Sequence, residues 1–348
     1  MINLYGLEMN KLIKLMEEEG QKPYRATQLY SWIYEKKAES FDEMSDISKS
    51  FREVLKEKYC LDLPTVYTKQ VSKDGTIKLL VELKDGYKVE CVLMRYSYGC
   101  AVCVSSQVGC NMGCSFCSSG ILGKQRNLAP EEMMGQILLI NKLLKEENKG
   151  QHVTHVVVMG TGEPFDNYDN VLDFIRILNH PKGLAIGARH ITISTCGLVP
   201  MIDRFTDLDL QVNLSVSLHA ATDDLRKQLM PIARKYGLSE LMDACRRYVS
   251  KTNRRLTFEY SLFANVNDSE KDAETLVRLL GKGLWHVNLI AANEFPGSDY
   301  HTSPKHRVRR FQEILESGDI NATLRREMGT DIMAACGQLR RGMETKDQ

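Results

Sequence analysis

The sequence predicts an α/β protein: a partial (β/α)6 barrel preceded by a small helical domain and a β-hairpin extension. Three observations lead to this prediction. Apolar residues recur at helical spacing in the first 60 residues, and two β-rich runs flank an Asp-Gly pair near residue 85. From residue 101 onward, short β-branched runs alternate with helical stretches, a pattern typical of parallel sheets covered by helices.

The N-terminal stretch has the period of amphipathic helices. Leu12 and Met16 fall on one helical face, and Leu29 and Ile33 fall on another, with charged residues between them. We therefore expect a small helical accessory domain over residues 1–60, of a kind that more often docks or binds nucleic acid than catalyses a reaction.

Residues 61–100 change to a β-strand pattern. The runs at 76–83 and 87–94 are rich in β-branched and apolar residues, and Lys84-Asp-Gly lies between them. Asp-Gly between two such runs is typical of a tight hairpin turn. The sequence therefore predicts a β-rich extension between the helical domain and the barrel.

The remaining series predicts the barrel, over residues 101–340. Strand-like runs lie at 101–105, 155–159, 190–194, 212–218, 256–260, 287–290 and 322–324. Helical stretches lie between them at 131–144, 171–178, 238–249, 269–280 and 306–315. In such barrels the chemistry is found at the carboxyl ends of the strands. Residues 341–348 are expected to form a C-terminal tail.

Composition limits the class of protein. The 348 residues carry a net charge of +1, so nucleic-acid contact would have to come from a local basic patch. The N-terminus lacks the pattern of a signal peptide, and no apolar run approaches the ~18 residues of a membrane span. These features predict a cytoplasmic protein without membrane contact, in which clustered cysteines more often bind metal than form structural disulfides.

The sharpest signal is Cys110-Asn-Met-Gly-Cys114-Ser-Phe-Cys117, just after the first strand of the series. Structural zinc usually takes four ligands, whereas a four-iron cluster held by three cysteines leaves one iron open for a ligand. An iron–sulfur cluster is therefore favoured over zinc.

This spacing resembles the radical S-adenosylmethionine (SAM) superfamily, whose partial barrel the β/α series also resembles. The resemblance implies a [4Fe–4S] cluster on Cys110, Cys114 and Cys117. It also implies that SAM binds the open iron and is cleaved, on reduction, to a 5′-deoxyadenosyl radical.

Four segments at successive strand ends are candidates for the SAM pocket. A Gly-rich turn, a single serine or a single histidine is a weak signal alone, but their joint placement is persuasive. The expected SAM-binding residues are Gly162, Glu163, Ser194, Ser217, Leu218, His219 and Asn293.

Two further cysteines stand apart from the triplet. Cys103 lies on the strand before it, and Cys336 lies in Ala334-Ala-Cys-Gly after the last strand. Free cysteines are usually buried and inert. A loop of small residues, however, leaves a thiol open to a bulky ligand.

With these residues the chain resembles the RlmN/Cfr family of radical SAM methyltransferases, over nearly its whole length. The matching segments are Cys103-Val-Ser-Ser-Gln-Val-Gly-Cys110, Gly162-Glu-Pro, Ser217-Leu-His-Ala, Leu229-Met-Pro-Ile, Phe258-Glu-Tyr and Ala334-Ala-Cys-Gly-Gln-Leu. The family methylates an adenine carbon of large-subunit ribosomal RNA, and the chain is more similar to the members that modify C2 than to those that modify C8.

The resemblance implies a mechanism that uses two SAM molecules per turnover. One SAM methylates Cys336, and the radical from a second SAM removes a hydrogen from that methyl group. The resulting methylene radical adds to the adenine carbon, Glu90 takes the proton from that carbon, and Cys103 attacks the thioether sulfur. The product is released with a transient Cys103–Cys336 disulfide.

The resemblance also implies partners. The expected substrate is adenosine 2503 of 23S rRNA, with adenosine 37 of transfer RNA as a second substrate. We further expect an electron donor such as flavodoxin, and a monomeric protein. Basic residues in 304–310, Arg325-Arg326 and Arg340-Arg341 are candidates for phosphate contact. Met333 departs from the family pattern, in which Asp is common beside the Cys336 loop.

Three alternatives stay open from the sequence. The same machinery would methylate C8 in a relative that confers antibiotic resistance. A zinc-dependent RNA-binding module without catalytic activity would use the cysteine triplet differently. A radical SAM enzyme with another substrate, such as a glycyl-radical activase, would not need Cys336.

Overall fold

The structure is a computed structural model that describes residues 1–121, 123–294 and 297–339. The N-terminal region is helical, as predicted. It contains helices α1 (Met9–Glu18), α2 (Tyr24–Tyr30) and α3 (Lys49–Lys58) between two short strands, β1 (Ile2–Asn3) and β2 (Tyr59–Cys60). The two strands pair in parallel and bring the ends of this region together.

Local capping and an apolar face explain α1. The Glu8 carboxylate accepts hydrogen bonds from the backbone N–H groups of Asn10 and Lys11, which would otherwise be unpaired at the helix start. Leu12 and Met16 form the apolar face of α1 and are fully buried. They belong to one apolar core that continues from the N-terminal helices into the barrel.

The β-rich extension is an antiparallel part of the main sheet. It consists of β3 (Thr65–Val71), β4 (Ile77–Glu82) and β5 (Lys88–Tyr96). Strands β4 and β5 form the predicted hairpin, and Gly86 adopts the left-handed conformation (φ +83°) that its turn requires. Strand β3 pairs with β4, and each of its residues is exposed to solvent, so it has no alternation of buried apolar residues that would have identified it in the sequence.

The parallel part begins with β6 (Gly99–Cys103), which pairs antiparallel with β5. A small antiparallel pair, β7 (Gln107–Val108) and β8 (Arg126–Asn127), follows on either side of the cysteine loop. Six more parallel strands continue the sheet: β9 (Val153–Val158), β10 (Ile191–Thr195), β11 (Asn213–Ser217), β12 (Leu256–Leu262), β13 (Trp285–Ala291) and β14 (Asn321–Leu324).

Helices connect these strands: α4 (Pro130–Glu146), α5 (Tyr168–Asn179), α6 (Val199–Thr206), α7 (Asp223–Leu229), α8 (Leu238–Thr252), α9 (Glu270–Leu280) and α10 (Lys305–Ser317). Helices α6 and α7 are additional to the predicted set, because each is too short to show a clear period. The strand order β14-β13-β12-β11-β10-β9-β6-β5-β4-β3 is that of an open barrel with an antiparallel extension. The predicted fold class is confirmed.

Among the residues that the structure describes, none of the helices combines the length and apolar character needed to span a bilayer. The predicted tail at 341–348 and the pair Arg340-Arg341 lie outside the described residues.

Candidate active site

A cavity of about 160 Å³ lies at the carboxyl ends of the parallel strands. The cavity is therefore on the side of the sheet where the chemistry was expected. The predicted site residues that line this cavity are Cys110, Cys114, Cys117, Gly162, Glu163, Ser194, Ser217, His219, Asn293 and Cys336.

The cysteine loop forms one wall. Gly109 adopts φ +76°, and a Cβ there would lie 1.9 Å from the carbonyl oxygen of Gly123, so only glycine fits this close approach. Burial raises the pKa of Cys110 to about 12 and the pKa of Cys114 well above its usual value. Buried thiols of this kind become thiolates when a metal centre supplies positive charge.

The three thiols of the loop line the same cavity, so their chemistry fits a four-iron cluster in which each thiolate binds a different iron. Among residues 1–121, 123–294 and 297–339, no three Cys, His, Asp or Glu side chains converge closely enough to hold a single metal ion. Cys100 and Cys103 repeat the Cys-x-x-Cys spacing, but they lie on strand β6, where positions i and i+3 face opposite sides.

An orphaned buried cation also fits an anionic cluster. Arg226 is fully buried, and its Nη2 donates to the carbonyl oxygens of Cys196 (2.8 Å) and Ser217 (3.3 Å). Its Nε and Nη1 atoms have no hydrogen-bond partner in the described part of the chain. Burial raises the pKa of Cys114, and the charge of Arg226 opposes that rise. Cysteine thiolates bound to a cluster would balance this charge.

Glu163 forms the floor of the pocket beside Gly162. Its carboxylate accepts hydrogen bonds from the backbone N–H groups of Phe165 (2.9 Å) and Cys196 (2.7 Å). Burial raises the pKa of Glu163, and these hydrogen bonds oppose the rise. Gly162 has φ +113°, and a Cβ there would lie 2.7 Å from the side chain of Gln107. The strand end is thus shaped so that the backbone can approach a ligand closely.

The neighbouring strand ends add hydroxyl groups and an imidazole. The hydroxyls of Ser194 and Ser217 lie 3.5 Å apart at the ends of β10 and β11. His219 Nδ1 accepts a hydrogen bond from the Ser261 N–H (2.9 Å), and burial lowers the pKa of His219 to about 3. The imidazole is therefore neutral and carries its proton on Nε2. Leu218 differs, because its side chain packs in the core and does not line the cavity.

The C-terminal loop brings Cys336 to the same cavity. Asn293 Nδ2 donates to the Cys336 carbonyl oxygen (3.4 Å). Ser118 Oγ donates to the carbonyl oxygen of Gly337 (2.9 Å), and Ser119 Oγ donates to that of Leu339 (2.7 Å). The residues directly after the cysteine triplet therefore bind the loop that carries Cys336, a connection that sequence reasoning missed.

Cys103 reaches Cys336 from the other side. Both cysteines line a second cavity of about 30 Å³, which Met94 and Met159 also border. Burial raises the pKa of Cys103 to about 12, and the nearby Cys336 contributes to the rise. Cys336 thus borders both the cavity of the cysteine loop and the cavity of Cys103.

Glu90 lies on β5, outside the lining of both cavities. Its carboxylate pairs with Lys78 Nζ (2.9 Å), and Lys78 also donates to the Met333 carbonyl oxygen (3.1 Å). Lys78 and Cys103 are both in register with Val92 of β5, so these side chains share one face of the sheet. This ion pair was not predicted, and it connects Glu90 to the Cys336 loop.

Only some of the predicted basic residues lie at the site. Arg325 lines both cavities that Cys336 borders, and Arg326 lines only the cavity of Cys103. In the 304–310 run, Arg307 hydrogen-bonds Asn265 and approaches Asp268, while Arg310 pairs with acidic side chains. The run is therefore partly neutralised on α10 rather than gathered at the site.

The open barrel, the three-cysteine loop and the polar strand ends together define a radical SAM enzyme. A family model described as "Radical SAM superfamily" matches residues 104–277, and one described as "Ribosomal RNA large subunit methyltransferase N-terminal domain" matches residues 2–61. A crystal structure of a radical SAM methyltransferase from Sphaerobacter thermophilus has a TM-score of 0.92 and 44% sequence identity, covering 97% of this chain and 99% of that one.

Curated relatives narrow the class to one family. A probable dual-specificity RNA methyltransferase RlmN from Staphylococcus saprophyticus is 48% identical, over 99% of this chain and 95% of that protein. Its counterpart from Bacillus subtilis is 47% identical, over 97% of this chain and 93% of that protein. The chain belongs to the RlmN family of SAM-dependent RNA methyltransferases, and the family implies a [4Fe–4S] cluster and SAM as cofactors.

Proposed function

We propose that this enzyme methylates C2 of adenosine 2503 in 23S rRNA and, as a second substrate, adenosine 37 of transfer RNA. The observation that carries the proposal is the position of Cys336. It borders the cavity of the cysteine loop on one side and the cavity of Cys103 on the other. The names of the curated relatives, which describe dual-specificity RNA methyltransferases, support the two RNA substrates.

The cofactors have distinct places in this proposal. Cys110, Cys114 and Cys117 would hold the [4Fe–4S] cluster, which when bound supplies the single electron that cleaves SAM and takes one back. The polar residues at the strand ends would hold SAM: Gly162, Glu163, Ser194, Ser217, His219 and Asn293. Leu218 would contribute backbone contacts only, since its side chain lies in the core. Each turnover would use two SAM molecules.

Cys336 is the proposed carrier of the new carbon. Its sulfur would attack the methyl carbon of one SAM and displace S-adenosylhomocysteine, which gives a methyl thioether on Cys336 and releases the thiol proton. The 5′-deoxyadenosyl radical from the second SAM would take one hydrogen atom from that methyl group and become 5′-deoxyadenosine, and the remaining methylene carbon would bond to the adenine carbon. The adduct then loses one electron and one proton, which restores the aromatic ring. Glu90 is the proposed acceptor of that proton, with Lys78 as its counter-charge.

Cys103 is the proposed release group. Its sulfur bonds to the Cys336 sulfur, the bond from that sulfur to the new carbon breaks, and the electron pair left on carbon takes up a proton. The products are methyladenosine and a Cys103–Cys336 disulfide, which an external reductant with two electrons returns to thiols. The shared cavity of the two cysteines supports this step.

We propose further that the protein is a cytoplasmic monomer that receives electrons from a donor such as flavodoxin. Residues 1–60 would form an RNA-binding accessory domain, residues 61–100 an extension, residues 101–340 the catalytic barrel and residues 341–348 a tail.

Deuterated RNA tests the position of methylation. Reconstituted enzyme is incubated anaerobically with SAM, a reductant and RNA whose target adenosine is deuterated at C2 or at C8. Mass spectrometry of the product nucleoside should show loss of the C2 deuterium only. Loss of the C8 deuterium would assign the enzyme to C8 methylation, and a colourless zinc protein that binds RNA without methylating it would exclude both.

A further inference from the structure

The barrel interior beyond the candidate active site is polar. Side chains that line it toward the amino ends of the strands form a cavity of about 670 Å³. They include Thr192, Asn213, Ser215, Thr257, His286 and Asn288, at alternate positions of neighbouring strands. Small closed barrels fill this space with packed apolar side chains. A polar lining therefore indicates a space that takes up water or a polar ligand.

This barrel cavity adjoins the site around Cys336. Met159, Glu259 and Arg325 line both the barrel cavity and the cavity of the cysteine loop. On the opposite side, the loop at residues 328–339 covers the carboxyl ends of the strands and is hydrogen-bonded to the cysteine loop. The amino-terminal end of the barrel is thus the polar approach to Cys336.

Aromatic rings surround that end. Tyr98 is 64% exposed and stacks on Tyr96, with ring centroids 4.9 Å apart and planes 7° apart. Tyr98 also meets His155 edge to face at 5.1 Å, and His155 stacks on His190 at 4.3 Å. The row of rings follows the beginnings of three neighbouring strands, β6, β9 and β10. Exposed aromatic faces of this kind stack on unpaired bases.

Arginines lie beside the rings. Arg189, Arg254 and Arg255 line the barrel cavity near its opening, whereas Glu259, deeper inside, is the one acid among the described lining residues. Arg255 is exposed and makes no ion pair within the part of the chain that the structure describes. A polar channel with rings and cations at its opening has the chemistry of a single-strand nucleic-acid site.

We propose that RNA docks at this barrel mouth, defined by Tyr98, His155, His190, Arg189 and Arg255. The target adenosine leaves its stack and extends through the barrel toward Cys336, while adjacent unpaired nucleotides stack on the rings and their phosphates contact the arginines. This inference rests on the proposed function, because it assigns the surface that presents RNA to the same site.

RNA binding by matched variants tests the proposal. The probe is a fluorescein-labelled RNA hairpin with the target adenosine in its loop, and binding to the iron-loaded enzyme is measured by anisotropy over a salt series. Y98A should weaken binding about 5- to 150-fold, the range expected for loss of one stacked base, and Y98F should restore it. R255Q should reduce the slope of log K against log salt by about 0.7.

An exposed arginine elsewhere provides the control. Arg246 lies on α8 in an ion pair with Asp243, so R246Q should bind RNA as the unchanged enzyme does. Iron content and circular dichroism verify that each variant folds. Unchanged RNA binding by Y98A and R255Q, in an enzyme that still methylates RNA, would refute RNA docking at the barrel mouth. The proposed function would then remain valid. Arg309 belongs to the basic run on α10, so weakened binding by R309Q alone would also overturn the proposal and would assign the contact to α10. If the unchanged enzyme neither bound nor methylated RNA, the proposed function itself would fail.

Discussion

At the scale of single residues, the site depends on where each cysteine lies rather than on how many there are. Cys336 lies between two cavities, and Cys103 lies on the far side of it, buried on β6. Four of the remaining buried thiols line neither the cavity of the cysteine loop nor the cavity of Cys103: Cys60, Cys91, Cys100 and Cys245. Cys196 lines the cavity of the cysteine loop, as Glu163 does. Position therefore separates a proposed reacting pair from packing residues.

The release step gives the first prediction. C103A should still methylate Cys336 and bond it to RNA, but should not release the product, because no second thiol reaches the thioether sulfur. A covalent protein–RNA species should therefore accumulate and be visible on a denaturing gel. C91A, which alters a buried thiol on the adjacent strand, is the control and should release product. Free product at the normal yield from C103A would contradict the role.

His219 gives a second prediction. H219F leaves the Ser261 N–H buried without an acceptor, which should cost about 1–3 kcal/mol of unfolding free energy. H219N should recover most of that loss, since Asn supplies an acceptor and tolerates the positive φ of 55°. Urea unfolding measures both. Equal stability of H219F and H219N would contradict the hydrogen-bond account.

The same residue has a defined pH dependence. Burial lowers the pKa of His219 to about 3, from an ordinary value of 6.5. Below pH 6.5 the unfolded chain binds a proton that the folded chain does not, so the contribution of His219 to stability should fall as the pH drops toward 3. The difference in stability between H219N and the unchanged protein should therefore move in favour of H219N on acidification. A pH-independent difference would be inconsistent with a neutral buried ring.

At the scale of elements, the turn between β3 and β4 holds the loop that carries Cys336. Asp74 accepts a hydrogen bond from the Gly329 N–H (2.9 Å), and Asp331 accepts one from Ser72 Oγ (2.5 Å). Lys78 on β4 donates to the Met333 carbonyl oxygen, and Met333 itself adopts φ +53°. The backbone around Met333 is thus held by contacts with the antiparallel extension.

Removing one of these contacts gives a third prediction. D74A should loosen residues 328–339 without unfolding the sheet, because it removes the acceptor of Gly329 N–H on the loop side. Hydrogen exchange in this segment should become faster, and methyl transfer to Cys336 should become slower. D85A alters the acid of the β4–β5 turn and serves as the control. Unchanged exchange in D74A would show that the extension does not hold the loop.

At the scale of the whole molecule, the helical N-terminal region and the barrel share one core. Tyr30 is fully buried and packs edge to face on His180 at 5.0 Å, and the ion pair of Lys11 with Asp173 joins α1 to α5. A Cβ at Gly6 would lie 2.9 Å from the backbone nitrogen of Glu131, so the two parts approach within van der Waals contact.

Tyr30 therefore tests this shared core in a fourth prediction. Y30A should lower the unfolding free energy by about 3–5 kcal/mol, the range for large-to-small substitution of a buried aromatic side chain. Y30F should be neutral or stabilising, because the Tyr30 hydroxyl is buried without a hydrogen-bond partner among the described residues. Thermal unfolding of the whole chain measures both, and a Y30A protein as stable as Y30F would contradict the packing.

The sequence pattern was sufficient to predict the barrel, because the alternation between strand periodicity and helical periodicity is pronounced. The β-branched runs, the Asp85-Gly86 turn and the triplet at Cys110 each depend on nearby residues. Contacts between distant segments leave no such pattern. Such contacts exist only in the assembled sheet, as the Lys78–Glu90 ion pair and the hydrogen bonds from Ser118 to the C-terminal loop do. The burial of Arg226 with two unpaired donors likewise arises only in the folded chain. Because Cys103 and Cys336 are far apart in the sequence, their pairing was predicted from the family resemblance and not from residue spacing.

The proposed mechanism depends on methylation of Cys336, which mass spectrometry of the protein detects. The iron-loaded enzyme is incubated anaerobically with SAM labelled in its methyl group, first without RNA and then with RNA and a reductant. The label should appear first on the peptide that contains Cys336 and then in the adenine, as the carbon transferred from that residue. An unlabelled Cys336 peptide, together with full turnover by C336A, would contradict the proposed mechanism.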